Sequence, residues 1–257
     1  MTAPVPVSEI RPVARGADAS ALATSVYTQL FRLLEQLEPQ DWTRPTDCDG
    51  WTVDDVVGHL LGAAEGHASL PEFVRQFVHG GRGASRFGGS ALDAMNDVQV
   101  REHAHLDPAA KLTALRRVAP SAVRARVGLP RPLRALPIPI PAAGNMPSGL
   151  PTRITLGHLN DVIVTRDVLM HRIDIARAAD LDPGLDAEAD RRLVADIVRE
   201  WAERHGQPVQ LRLGGPAGGE YRQGDGGPEL ALEATEFCRT VSGRVAGTGL
   251  LATHVLF

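Results

Sequence analysis

The stretch DVIVTRDVLMHRIDIARA, residues 161–178, decides the architecture. Val162, Leu169, Ile173 and Ala176 form one apolar face, while Ile163, Val164, Val168, Met170 and Ile175 spread around most of the remainder. A helix that is apolar on nearly every side belongs inside a larger helical assembly. It nevertheless carries Asp167 and His171, one turn apart on a single face that continues through Asp174. Ionisable groups in such surroundings need partners, because burying them unpaired costs on the order of several kcal/mol. Two readings meet that need. In one, the helix is braced by salt bridges, with Asp174 and Arg177 at i, i+3 and Arg166 and Arg172 close by. In the other, the carboxylate and imidazole are two ligands of one metal ion, and Asp174 orients the imidazole from behind.

A third donor stands far upstream. In WTVDDVVGHLLG, residues 51–62, His59 is flanked by Val56, Val57, Leu60 and Leu61, with Gly58 leaving room for close approach. Thr52 before Val53-Asp54-Asp55 is a good N-cap for this helix. A lone histidine on such a face is commonly a satisfied core residue. A ligand from a second helix is also what a metal site inside a bundle requires. Three protein ligands with one position open is the pattern of a catalytic metal. His67 falls about 80° around the helix from His59 and is expected off that face. Cys48 reads as structural, with no base arranged near it in sequence.

Further helical patterns run over residues 19–37, 71–78, 92–103, 107–118, 155–179 and 186–204. GGRGASRFGG at 80–89 reads as a mobile loop. The Pro-rich 130–151 crossing cannot be regular helix and reads as an ordered crossing or lid. Beyond residue 205 the texture changes: PVQLRL and ELALEA read as strands, GGPAGGEYRQGDGGP between them as turns, and Thr235–Val245 as helix. The fold class is therefore mainly α with a small α+β part. Its domains are a flexible N-terminus over 1–18, a helical bundle over 19–205 and a small α+β domain over 206–257.

The composition is that of a globular protein, 43% hydrophobic and 23% charged. A net charge of −4 argues against nucleic acid as a partner. No apolar run approaches the ~20 residues of a membrane span. Cys48 and Cys238 fit no metal or redox spacing, which with no secretory pattern makes a reducing cytoplasm the expectation. The preference for Arg over Lys suggests a GC-rich genome.

DWTRPTDCDGWTVDDVVGHLLG, residues 41–62, resembles the signature of the mycothiol-dependent maleylpyruvate isomerase family, and RDVLMHRIDIARA, residues 166–178, resembles its second metal segment. The tail, from PVQLRLGGPAGGEY through EFCRTVSGRVAGTGLLATHVLF, is similar to that family's small C-terminal domain. The resemblance implies a DinB-like up-down four-helix bundle followed by a small C-terminal α/β domain. It also implies a divalent metal, typically zinc, on His59, Asp167 and His171, with Asp167 standing where better-known members carry Glu. Mycothiol would be the thiol cosubstrate, and the activity a metal- and thiol-dependent isomerisation or S-transfer on a small unsaturated acid.

Such an acid needs cations. Arg239 and Arg244 are the catalytic candidates, and Arg82 and Arg86 those for binding substrate or thiol. Partners are then a small-molecule substrate and a low-molecular-weight thiol, with the chain a monomer or homodimer. A non-catalytic ligand-binding or regulatory member of the same fold, and a metal-dependent hydrolase, remain alternatives.

Overall fold

The computed structural model describes residues 3–13, 16–140 and 150–257. In chain order it begins with β1 (Val5–Pro6) and a 3-10 turn (Val7–Glu9), then α1 (Ala17–Leu34) and a second 3-10 turn (Asp41–Thr43). Next come α2 (Val53–Ala68), α3 (Leu70–Gly83), a 3-10 turn (Ala84–Phe87), α4 (Ala91–His103) and α5 (Pro108–Val127). A helical turn α6 (Arg131–Arg134) and the strands β2 (Pro137–Pro139) and β3 (Arg153–Thr155) lead to α7 (Leu156–His158). This helix continues through a π-helical segment (Leu159–Ile163) into α8 (Val164–Ala179). The chain closes with α9 (Glu188–His205), β4 (Val209–Gly214), β5 (Gly219–Gln223), β6 (Glu229–Glu233), α10 (Ala234–Val241) and a 3-10 turn (Gly249–Ala252). Mainly α with a small α+β part is the class observed. Among the described residues no helix is long and apolar enough to cross a membrane.

Two compact units divide these elements. The first contains described residues 16–140 and 151–183, a bundle in which α2 packs on α5 and α4, and α1 on α5 and α8. Its core joins Leu22, Val26 and Leu30 of α1 to Leu60 and Leu61 of α2, Leu115 of α5 and Met170 of α8. α2 starts where expected: Thr52 accepts the Asp55 N–H, and the Asp55 carboxylate accepts the Thr52 N–H at 2.9 Å. That reciprocal capping satisfies two orphan donors and holds the first turn.

Glycine sets how closely α2 approaches α4. The position is Gly62, not Gly58: a Cβ on Gly58 meets His103 Cβ at an ordinary 3.6 Å, whereas one on Gly62 lies 2.7 Å from Gln99 Cβ. Beside it a buried amide ladder links three helices, with Gln76 Nε2 donating to the Gly62 carbonyl and Gln99 Nε2 to Gln76 Oε1.

Several expectations about local structure are corrected. The glycine-rich loop expected at 80–89 begins as helix, since α3 continues to Gly83 and a 3-10 turn follows. Gly80 explains the continuation, because its bare backbone lies against Met95, where a Cβ would sit 2.8 Å from Met95 Cβ. α5 runs past the expected end at Val118 to Val127, with Pro120 inside it. Pro120 is on the exposed side, so the carbonyl its ring denies a partner faces water. The Pro-rich crossing contains one helical turn, α6, and the strand β2, which pairs antiparallel with β3; residues 141–149 of it lie outside the described residues.

The second unit contains described residues 3–13 and 184–257, with Leu150. Its sheet has the order β1-β5-β4-β6, with β4 antiparallel to β5 and parallel to β6, and β1 parallel to β5. Val209, Leu211 and Leu213 alternate inward along β4, as in a sheet covered on one face. The expected boundary at 205 therefore falls earlier, before α9. The apolar stripe of α9 is buried in this unit, Trp201 meeting Phe237 of α10 edge-on at 5.3 Å. The segment expected to be flexible over 1–18 also differs. Val5 and Pro6 pair with Tyr221 and Arg222, and Val7 is buried. β5 itself lies in the run read as turns, because only Tyr221 is a strong strand former there and backbone pairing to β4 supplies the rest.

The glycine geometry predicts opposite effects of one substitution. Gly62→Ala forces the contact with Gln99 and destabilises by about 1–3 kcal/mol. Gly81→Ala, in α3 with nothing within 4 Å of its Cβ, stabilises by about 0.5–1 kcal/mol through helix propensity. Urea unfolding of both variants checks the pair; the same sign for the two would contradict the packing described.

Candidate metal centre

α2 and α8 bring the three predicted donors together. Asp167 stands between the two imidazoles: Oδ1 is 3.3 Å from His171 Nε2, and Oδ2 is 3.8 Å from His59 Nε2. The donor atoms of His59, Asp167 and His171 all lie within 4.8 Å of one another. The shorter aspartate is therefore still placed between the two histidines. Both imidazoles are buried, whereas 30% of the Asp167 side chain remains accessible.

The two histidines are held differently. His171 Nδ1 lies 3.0 Å from Oδ2 of Asp174, which is fully buried one turn further along α8. That carboxylate fixes the ring and favours a proton on Nδ1, directing Nε2 to Asp167. His59 has no such anchor. Its Nδ1 is buried without a hydrogen-bond partner, and its Nε2, at 3.8 Å from Asp167, is beyond hydrogen-bond reach. The Trp51 ring flanks both imidazoles, its centroid 5.2 Å from that of His59 and 6.5 Å from that of His171.

Charge completes the picture. Burial opposes protonation of His171, but the Asp167 charge and the hydrogen bonds to Asp167, Asp174 and Cys48 outweigh it and raise the His171 pKa well above its ordinary value. Burial would raise Asp167, yet the two histidines hold its carboxyl well below the usual range. Of the salt bridges anticipated on α8, Arg177 pairs with Asp47 at 3.4 Å. Arg166 and Arg172 are wholly buried.

Three neighbours escaped the sequence reading. Cys48 Sγ lies 3.7 Å from His171 Nδ1 and 3.5 Å from Asp174 Oδ2, so Cys48, His171 and Asp174 form a second possible donor set. The two sets use opposite nitrogens of His171. The only hint was position, since Cys48 lies in the loop that precedes α2. His67 is half-buried on α2 and outside both donor sets; desolvation, with smaller effects from Arg126, Asp167 and His59, brings its pKa down to about 4. Arg126 of α5 is buried and in electrostatic contact with Asp167. Lys111, Leu115, Ala119, Ala122 and Arg126 form one inward stripe, a signal lost when the helix was ended at Val118.

The four arginines expected to meet the substrate or thiol fall in both units. Arg82 is exposed at the end of α3, and Arg86 is exposed in the 3-10 turn after it. Arg239 and Arg244 belong to the sheet-bearing unit. Arg239 is buried in α10 with Nη1 2.7 Å from Glu236 Oε2, and Arg244 is half-buried in the turn beyond α10.

A helical bundle with a His–Asp–His cluster on two of its inner helices defines a class of protein equipped to bind a metal ion. The family model described as mycothiol maleylpyruvate isomerase N-terminal domain matches residues 24–176, and the chain belongs to that family. The fold is similar to the crystal structure of the mycothiol-dependent maleylpyruvate isomerase, with a TM-score of 0.52 and 16% identity over 89% of both chains. A histidine-to-alanine mutant of that enzyme matches equally, with a TM-score of 0.52 and 16% identity. No curated protein matches the sequence.

The ion pair predicts that in metal-free protein His171 is doubly protonated at pH 7, and that Asp174→Asn lowers its pKa. Long-range proton–nitrogen correlation spectra read the state of each ring; a neutral His171 at pH 7 in the wild type would contradict the electrostatics.

Proposed function

We propose that the protein is a metal- and mycothiol-dependent isomerase or S-transferase acting on a small electrophilic, unsaturated acid. The observation that carries this reading is the incomplete bonding of His59. A buried imidazole with Nδ1 unpartnered and Nε2 only loosely paired, 3.8 Å from Asp167, is costly in a purely structural cluster and is accounted for by a ligand. The donor set suits zinc: at bond lengths of about 2.0–2.1 Å, tetrahedral ligands stand about 3.3 Å apart, against 3.3 and 3.8 Å for the two Asp167–histidine distances. Family membership supports the same reading.

His59, Asp167 and His171 would hold the metal, leaving a position for a further ligand. When bound there, a divalent cation would favour the thiolate of a low-molecular-weight thiol, whose reversible addition to a conjugated double bond permits cis–trans isomerisation or S-transfer. The chain's own residues prepare that position. Asp174 keeps the His171 ring in one orientation, Asp167 supplies the negative charge that matches a cation, and Trp51 walls the imidazoles. The roles proposed for Arg239 and Arg244 in catalysis, and for Arg82 and Arg86 in binding substrate or thiol, rest on the family resemblance.

Protein purified without an affinity tag is expected to carry one divalent metal, lost in His59→Ala and His171→Ala; metal retained by both variants would remove the ligand set. Apparent zinc affinity is expected to rise roughly tenfold per pH unit on the acid side of the raised His171 pKa, because binding displaces one proton. Competition titrations over a pH series measure that slope, and a flat profile would exclude His171 as a ligand. Turnover of maleylpyruvate is expected to require added mycothiol. Equal turnover without thiol would instead favour hydrolysis by metal-activated water, and metal binding without any turnover a ligand-binding role.

A further inference from the structure

Arg126 is among the largest cations buried in the bundle, and only part of its guanidinium is used. The residue is 2% exposed. Nη1 donates to the Asn160 carbonyl at 2.7 Å and to Thr165 Oγ1 at 3.1 Å, which fixes it against the π-helical segment and the start of α8. Nε and Nη2 are buried and have no hydrogen-bond partner. These two nitrogens form one edge of the planar group, and their parallel N–H bonds match the two oxygens of a carboxylate. A buried guanidinium with that edge unfilled is destabilising unless something completes it.

Its surroundings indicate where the missing partner would lie. Arg126 interacts electrostatically with Asp167 and with Tyr27 of α1, and it also acts on His67 of α2. Four helices thus converge on one polar interior, of which the donor cluster is part. Part of the Asp167 side chain is accessible, so the donor cluster lies at a side of this interior that meets solvent. Asp167 is itself too distant to form an ion pair with Arg126, being already placed between the histidines. Burial draws the Arg126 pKa below the ordinary value, opposed by Tyr27 and Asp167; a guanidinium nevertheless remains charged at neutral pH.

We infer that Arg126 is a substrate-binding residue whose Nε–Nη2 edge receives a carboxylate of a small organic acid, within the same helical interior as His59, Asp167 and His171. The identification of that acid with the electrophile rests on the proposed function; the carboxylate site itself does not. Arg126 would then select for acids by leaving neutral analogues opposite an unpaired buried charge, while Nη1 keeps its bonds to Asn160 and Thr165.

The test uses maleate as probe on the full-length chain, with and without zinc, by calorimetric titration and by following the Arg126 Nε–H resonance. Metal-free wild type is expected to bind maleate saturably with a shift of that resonance, and not to bind dimethyl maleate. Arg126→Met and Arg126→Lys are each expected to weaken maleate at least tenfold, the latter because an ammonium cannot form the fork. Zinc content should be unchanged in whichever of these variants folds. His59→Ala and His171→Ala should still bind maleate. Arg126-dependent maleate binding in a chain that takes up no metal would support the carboxylate site while removing the metal reading. Zinc uptake with no maleate binding, or with equal maleate affinity in wild type and both Arg126 variants, would overturn the site and leave the metal reading standing.

Discussion

Asp167 and His171, a carboxylate and an imidazole one turn apart on the most enclosed helix of the bundle, impose the constraint around which that unit is arranged. Neither charge is tolerable alone at that depth. The pair is made acceptable by placing the carboxylate between two imidazoles and by giving the second nitrogen of His171 to the fully buried Asp174. What remains is an asymmetric cluster, with one histidine fixed on both sides and the other on neither. That asymmetry is what turns a structural ion pair into a candidate centre for chemistry.

Holding such a cluster requires α2 to be placed rigidly with respect to its neighbours. The Thr52–Asp55 capping box fixes where α2 begins, with the Thr52 N-cap seven residues before His59. Gly62 lets α4 close on α2, and across that approach Gln76 bonds to both the Gly62 carbonyl and Gln99. Precision at the site thus derives from small residues and satisfied polar groups elsewhere in the same helices. The widened turn before α8 adds to it, since the Asn160 carbonyl there anchors Arg126.

Much of the candidate site was legible. Helical spacing placed Asp167, His171 and Asp174 on one face, and the loop before Val53 announced a capped helix bearing His59. The elements that were misread share a cause. Gly80–Gly83 and Pro120 carry strong local signals for interruption, yet close packing on Met95 and solvent exposure make helix the better outcome. β5 and β1 have weak local preferences and exist through pairing with neighbours distant in sequence. The stripe containing Arg126 was present in the periodicity and was hidden only by ending α5 too early.

By itself the sequence determined the helical class, the mixed texture of the last fifty or so residues, and which side chains were available as donors. These follow from side-chain period, propensity and capping, all of which act over a few residues. Tertiary structure alone decided that α9 and the strand β1 belong with the sheet, that Asp167 stands between the two histidines, and that Cys48 stands beside His171. It also decided that one edge of Arg126 lies buried without a hydrogen-bond partner. Those are distances between segments remote along the chain, set by packing and burial rather than by any local preference.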